Sequence, residues 1–382
     1  MAADTDRPDR AELAQPARRR PFKVGGAHGV NAADARRYAL PMSTLPAEGY
    51  RLTSISPKAY EHPADRAATA ALASVPYLDL VVRKLIELGY ERVLRQAYLG
   101  SSVRLSEEQL PEVWRQHNIA YATLDMGDPP DLYLTQFPTP NAMAIGAAQP
   151  IVVVQSELIR LLDTGQRRAV LAHEAAHILS DHQLYRTATE ILLRLTATAR
   201  VPLPLGPIRA ALLSWQRASE LSADRAAALV VRDPLVVCRT LMIIAAGEEA
   251  AALNLDAFMA QGMEYTDGGS GLERLSRLFI DLGLTHGFPV KRIHELMAWV
   301  RSGEYDRIAG GDYLRRGEEP PVQEEAADAT AHYADRFRDT FRDAGESVGA
   351  MGQQVADWLR NVGRGDEEAG TAPDEPPYGP PD

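Results

Sequence analysis

The sequence predicts an α+β domain, mostly helical, with a small sheet beside one central helix. Three observations carry this. Apolar residues recur at helical spacing over most of residues 63–302. Between residues 131 and 155 the period shortens to two and β-branched residues gather. Directly afterwards VLAHEAAHILSDH, residues 170–182, is helical again. Strands followed by such a helix place a small sheet against a helical body.

Residues 1–45 mix Arg, Asp, Pro and Gly without periodicity and read as a disordered lead-in. Order is expected from about Ile55. Pro63 sits in the first turn of a helix, PADRAATAALAS. A second helix, YLDLVVRKLIEL, follows Pro76 and ends at Gly89. Ser106 and Gln109 form a capping-box pair for a helix reaching His117, whose default place is a solvent-facing helix end. DLYLTQF and IVVVQ read as strands, with NAMAIG, short and apolar, between them after a Pro-rich turn. Ser156 caps a helix to about Asp163, and Gly165 separates it from the helix that carries residues 170–182. Further helices are expected at 207–232, 235–247, 254–262, 271–281 and 289–302, with Asp233-Pro234 ending the first of them. The stretch 188–213 is apolar but broken by Arg194, Arg200, Arg209 and three prolines. It reads as two soluble helices joined by a Pro-rich turn.

Composition narrows the function classes. Hydrophobic content of 45% and charged content of 24% fit a globular domain. The net charge of −11 lies wholly in residues 317–382, with 16 acidic and 5 basic residues; the remainder carries 36 of each sign. No basic field points to nucleic acid. The first residues lack an apolar signal region, and no apolar run reaches the roughly 18–20 residues that span a bilayer. The single cysteine, Cys238, lies in an apolar run and fits a reducing compartment, so a cytoplasmic location is expected. Within the acidic tail, residues 333–362 carry Phe337, Phe341, Val348, Met351, Val355, Trp358 and Leu359 at helical spacing. Such an amphipathic helix can dock on the body, bind a partner or touch a membrane peripherally.

The chemistry centres on His173-Glu174-Ala175-Ala176-His177, an H-E-x-x-H pattern. A spacing of four puts both imidazoles on one helix face, where they can share one metal ion. Zinc suits such a pair, and Glu174 can act as general base on a metal-bound water. Chance alone yields the pattern in roughly one chain in a hundred of this length, so its context decides. A catalytic zinc needs a third protein ligand. The best candidate is Glu220 in SWQRASELSADRAAALV, with Asp224 one turn later to accept the free N–H of a ligating histidine. Without the histidines, these carboxylates and Arg225 read as a solvated face. His182 is the alternative ligand, but five residues along a continuous helix turn it roughly 140° from His177, toward a surface or loop position. His286 and Arg292 in LTHGFPVKRIHEL are candidate donors to the oxyanion formed on attack.

In HEAAH, ELSAD and THGFPVKRI together, the chain resembles the HtpX-type and C-a-a-X prenyl protease-type zinc metallopeptidases, a gluzincin family. Its pattern is H-E-x-x-H, then E-x-x-x-D, then T-H-P-x-x-x-x-R-I. Thr285, His286, Arg292 and Ile293 match; Gly287 replaces the proline, and Pro289 follows two positions later. PNAMAIG resembles the family's N-A-x-A-x-G strand. The resemblance spans about residues 120–305 and implies a zincin-like metallopeptidase domain, placed at 46–316. It implies one Zn2+ on His173, His177 and Glu220, Glu174 as base, and Asp224 behind the ligands. It also implies His286 and Arg292 as transition-state supports, Asn141–Gly146 as an edge strand pairing with substrate backbone, and a protein or peptide substrate. Many members are membrane-embedded; this chain looks like a soluble actinobacterial-type relative. The competing expectation is a metal-stabilised, non-catalytic scaffold working through the tail helix, which leaves Glu174 without a purpose. A further expectation is that the tail covers the cleft and regulates it.

Overall fold

A computed structural model describes residues 49–73, 78, 82, 89–198, 206–267 and 286–319. All belong to the larger of two compact units, Pro41–Asp382; the other is Met1–Leu40. The expected lead-in, the helix at 271–281, Thr285, the Pro-rich turn and the tail helix at 333–362 lie outside the described residues. Of the helix expected at 77–88 only Leu78 and Val82 are described, and both are buried in the core.

Mostly helical architecture with one small sheet is what the chain adopts. Helix α1 is Pro63–Ala73. Helix α2, Tyr90–Ser101, starts directly after Gly89, whose φ of 80° fits a residue without a Cβ. The sequence reading took that glycine as a stop and missed the helix beyond it. Strand β1 is Val103–Arg104. Ser106 and Gln109 bond to each other's backbone in a closed turn and cap nothing. Helix α3 therefore begins only at Pro111 and runs to Thr123. His117 then falls inside the helix and is buried, against the solvent-facing place expected for it.

The sheet has strand β2, Leu132–Thr135, strand β3, Ala142–Ile145, and strand β4, Ile151–Gln155. Its order is β1-β2-β4-β3, with β2 parallel to β4 and the other pairs antiparallel. β3 is thus an edge strand. β4 is buried along nearly its whole length, which suits its uninterrupted Ile-Val-Val-Val run.

Helix α4, Ser156–Leu161, leads into helix α5, Thr164–Leu179. Asp163 and Gln166 form a full capping box that starts α5, so Gly165 lies in its first turn and separates nothing. Helix α6 is Gln183–Thr198 and helix α7 is Gly206–Val231. Helix α8, Pro234–Ala246, is capped by Asp233 through the Leu235 N–H. Helix α9, Leu255–Asp267, outruns the expected 254–262, and helices α10, Pro289–Arg301, and α11, Glu304–Ala309, are the last among the described residues. α7 is buried on nearly all sides from Ala211 to Val231, as a central helix should be, and carries its polar residues into the site. It packs against α1, α5, α6, α8, α10 and α11. No helix among the described residues is long and apolar enough to cross a membrane.

Candidate metal centre

α5 lies between α7 and α3, with β3 and α8 also against it. Its i, i+4 spacing brings His173 Nε2 and His177 Nε2 within 3.2 Å of each other. Facing them from α7 is Glu220, with one carboxylate oxygen 3.4 Å from each Nε2. One donor atom from each of the three residues lies within 4.8 Å of the others, and all three side chains are buried. Two imidazoles and a carboxylate, closed on one side and opening on a cleft, make a donor set that can hold a metal ion.

The supporting groups orient these donors. Asp224, one turn after Glu220, lies with Oδ1 3.1 Å from His173 Nδ1. Arg292 from α10 donates to both Asp224 oxygens, at 2.8 and 2.6 Å, and its Nη1 lies 3.1 Å from Glu220 Oε2. The guanidinium expected to reach an oxyanion is therefore engaged by the two carboxylates that hold the site together. His286 lines the cleft, with Nδ1 2.9 Å from Glu220 Oε2.

Charge follows from these contacts. Burial pushes the Glu220 carboxyl up, but His286, Arg292 and His173 outweigh it and hold it well below the usual range. Asp224 is likewise lowered, by Arg292 and His173 against burial. Burial and then Arg186 hold His177 in its neutral form, the form that binds metals. Burial also disfavours charge on His173, yet Asp224 and Glu220 push it up to about 9.

Glu174 sits on the cleft side of α5. Its Oε2 accepts the Ala144 N–H at 2.7 Å, which ties the glutamate to edge strand β3. Asn141 pairs with Gln155, so alternation along the ladder turns the peptide groups of Ala142 and Ala144 to the open edge. The cleft in front is about 520 Å³, and Leu158, Val170, Val237, Leu241 and Ile244 make much of its wall.

Four residues in the site were not singled out by the sequence reading, or were misplaced by it. Arg186 from α6 is buried, with Nη1 2.8 Å from His177 Nε2 and 2.9 Å from Glu220 Oε1. Thr187 accepts the Gly146 N–H at 3.0 Å and holds the end of β3. His182 is in a turn, as expected, but at 6% exposure it is no surface residue. α5 stops at Leu179, and Asp181, at a φ of 57°, reverses the chain and returns His182 to His177. Asp65 of α1 lies behind it, at 3.2 Å. No local pattern marks Arg186, which stands among Gln183, Thr187 and Thr189, and Asp65 reads only as an ordinary acidic residue in the first turn of α1.

Comparison with known proteins supplies an independent view. The profile of Peptidase family M48 matches residues 107–300. The chain is similar to the plastoglobule-localized metallopeptidase 48, chloroplastic, of Arabidopsis thaliana, 36% identical over 256 residues, covering 65% of this chain and 74% of that one. It is similar to a protease HtpX homolog of Burkholderia multivorans, 28% identical over 207 residues, covering 46% of this chain and 70% of the relative. A third relative, a protease HtpX homolog of Pelotomaculum thermopropionicum, is 42% identical over 77 residues, 19% of this chain and 27% of its own. No solved structure matches the chain.

Proposed function

The chain belongs to Peptidase family M48 and is a metallopeptidase, and on that premise we propose that it is a zinc-dependent endopeptidase with Glu174 as its general base. One observation carries the proposal: two histidines four residues apart converge with Glu220 beside a glutamate that lines the same cleft. His173, His177 and Glu220 would hold one Zn2+, and the donor chemistry fits that ion. When bound, zinc supplies a Lewis acid that polarises the scissile carbonyl and acidifies a water.

The rest falls to the chain's own residues. Glu174, fixed through Oε2 by the Ala144 N–H, takes a proton from the attacking water and delivers it to the leaving amine. Asp224 orients His173, and Arg292 clamps Asp224 against Glu220. His286, tethered to Glu220 and facing the cleft, is the proposed donor to the developing oxyanion. The edge of β3 at the Ala142 peptide and the Ala144 carbonyl, the Ala144 N–H being held by Glu174, is where an extended substrate adds as a further strand.

The substrate is protein or peptide. The domain bearing this activity is proposed at 46–316. Backbone bonds from Ser56 to Leu314 and from Arg316 to Ser54 join the two ends of that span. A cytoplasmic location is proposed on the buried lone thiol of Cys238.

The test is digestion of an unfolded generic protein by the wild type and by Glu174→Gln, each with its zinc content measured. The expected result is about one zinc per chain in both and cleavage by the wild type alone. Wild-type protein that carries zinc and cuts nothing, or Glu174→Gln that cuts as well as the wild type, would overturn the proposal.

A further inference from the structure

The two histidines of the site are supported in different ways. His173 Nδ1 meets a carboxylate directly, at Asp224. His177 Nδ1 instead meets a third imidazole, His182 Nδ1, at 2.9 Å. On the far side of that ring, His182 Nε2 lies 3.2 Å from Asp65 Oδ2. All three side chains are buried.

Asp65 is held in turn. Its Oδ2 accepts the Ser222 hydroxyl at 2.6 Å and its Oδ1 the Thr69 hydroxyl at 3.3 Å. The Thr69 oxygen accepts the Trp215 indole N–H at 2.8 Å, and the Trp215 ring stands edge-on to His182 at 5.5 Å. Ser222 lies on α7 between Glu220 and Asp224, so one helix braces both supports.

A carboxylate only accepts, and with both imidazoles neutral this sets the direction of every bond in the row. His182 must offer Asp65 the hydrogen on Nε2. Its Nδ1 then accepts, so His177 donates from Nδ1. That leaves the lone pair of His177 on Nε2, aimed at Glu220 and His173. With neutral rings every nitrogen in the row has one role, and Arg186 Nη1 donates to the same His177 Nε2 lone pair.

We propose that Asp65 and His182 are positioning residues for His177, doing through one intervening ring what Asp224 does directly for His173. The inference rests on the zinc reading above. It gives α1, which precedes the segment 107–300 that matches the family profile, a part in building the site.

Zinc affinity, measured by competition with a chromophoric chelator, tests this on the full chain, alongside thermal unfolding of each metal-free protein. His182→Phe should weaken zinc binding by about 10–100-fold, the usual range for loss of such a support. Asp65→Asn should weaken it as well, by less. His182→Gln, whose amide can accept from His177 and donate to Asp65, should recover most of the loss. A merely structural pair would lower the unfolding temperature and leave the zinc affinity of the folded variants unchanged, which would overturn the inference. Should His182→Phe fail to fold, wild-type affinity in Asp65→Asn has the same force. A wild-type chain that takes up no zinc would instead sink the zinc reading, and this inference with it.

Discussion

The imidazole of His117 is enclosed between the rings of Trp114 and Tyr121, with Nε2 on the Pro130 carbonyl at 3.0 Å. Burial pushes its pKa down to about 4, against the Pro130 bond, which acts the other way. The unfolded chain would take up a proton near the ordinary value of about 6.5, where the folded chain does not. Stability from this residue is therefore complete above about pH 6.5 and falls as pH drops toward 4, by at most about 1.4 kcal/mol per unit. His117→Gln, which can keep a donor toward Pro130, should show a shallower acid limb in urea midpoints measured at pH 7, 5.5 and 4.5; parallel limbs would refute the argument. The position was misread because its helix was expected to end there, and it runs on to Thr123. The histidines of α5 were legible for the opposite reason: a spacing of four within a continuous helix needs no tertiary information. Glu220 and Asp224 were legible only as partners of that pair. Arg186, Asp65 and the role of His182 were not, since each depends on a reversal or a packing contact that no local pattern encodes.

α8 presents Val237, Leu241 and Ile244 to the cleft, at spacings of four and three that keep them on one face. With Leu158 and Val170 they give the cleft that holds Glu174 an apolar lining. A peptide seated against that lining would bury an apolar side chain beside the bond to be cut. Ile244→Asp, at a partly exposed position, should lower kcat/KM for peptides with a large aliphatic residue there by about tenfold or more, the scale of one lost apolar contact. Zinc content should not change. Product sequencing that finds no apolar preference in the wild type would end this reading. The elements themselves divide sharply by legibility. Period-two alternation disclosed β2, a β-branched run disclosed β4, and β3 was legible through the resemblance of PNAMAIG to the family's strand, whereas their order could not be read. β4 returns between β2 and β3, and the parallel β2–β4 pairing has no sequence signature. α2 was lost because Gly89 serves as well before a helix as after one. Only the structure shows β3 reaching Glu174 through Ala144.

Over the whole molecule, the three proposed zinc donors join α5 to α7, the helix on which much of the body packs. Binding at that junction stabilises the fold as a unit, because the unfolded chain has no such site. The sequence pointed to this coupling through Glu220, 43 residues after His177. The brace from α1 and the pairing of residues 54–56 with 314–316 are long-range contacts that local periodicity cannot forecast. Free zinc at about a thousandfold its dissociation constant should add about 4 kcal/mol to the unfolding free energy. At about 2–4 °C per kcal/mol for a body of this size, the unfolding temperature should rise by about 8 °C or more. Glu174→Gln keeps all three donors and should show the full rise. Glu220→Gln offers an amide in place of the carboxylate and should show much less, with a chelator reversing the effect in each case. Equal zinc-induced rises in the wild type and Glu220→Gln would mean that the ion binds elsewhere. The absence of any rise in Glu174→Gln would mean instead that Glu174 is itself a ligand, and the general base would then have to be sought among the other groups lining the cleft, His286 first.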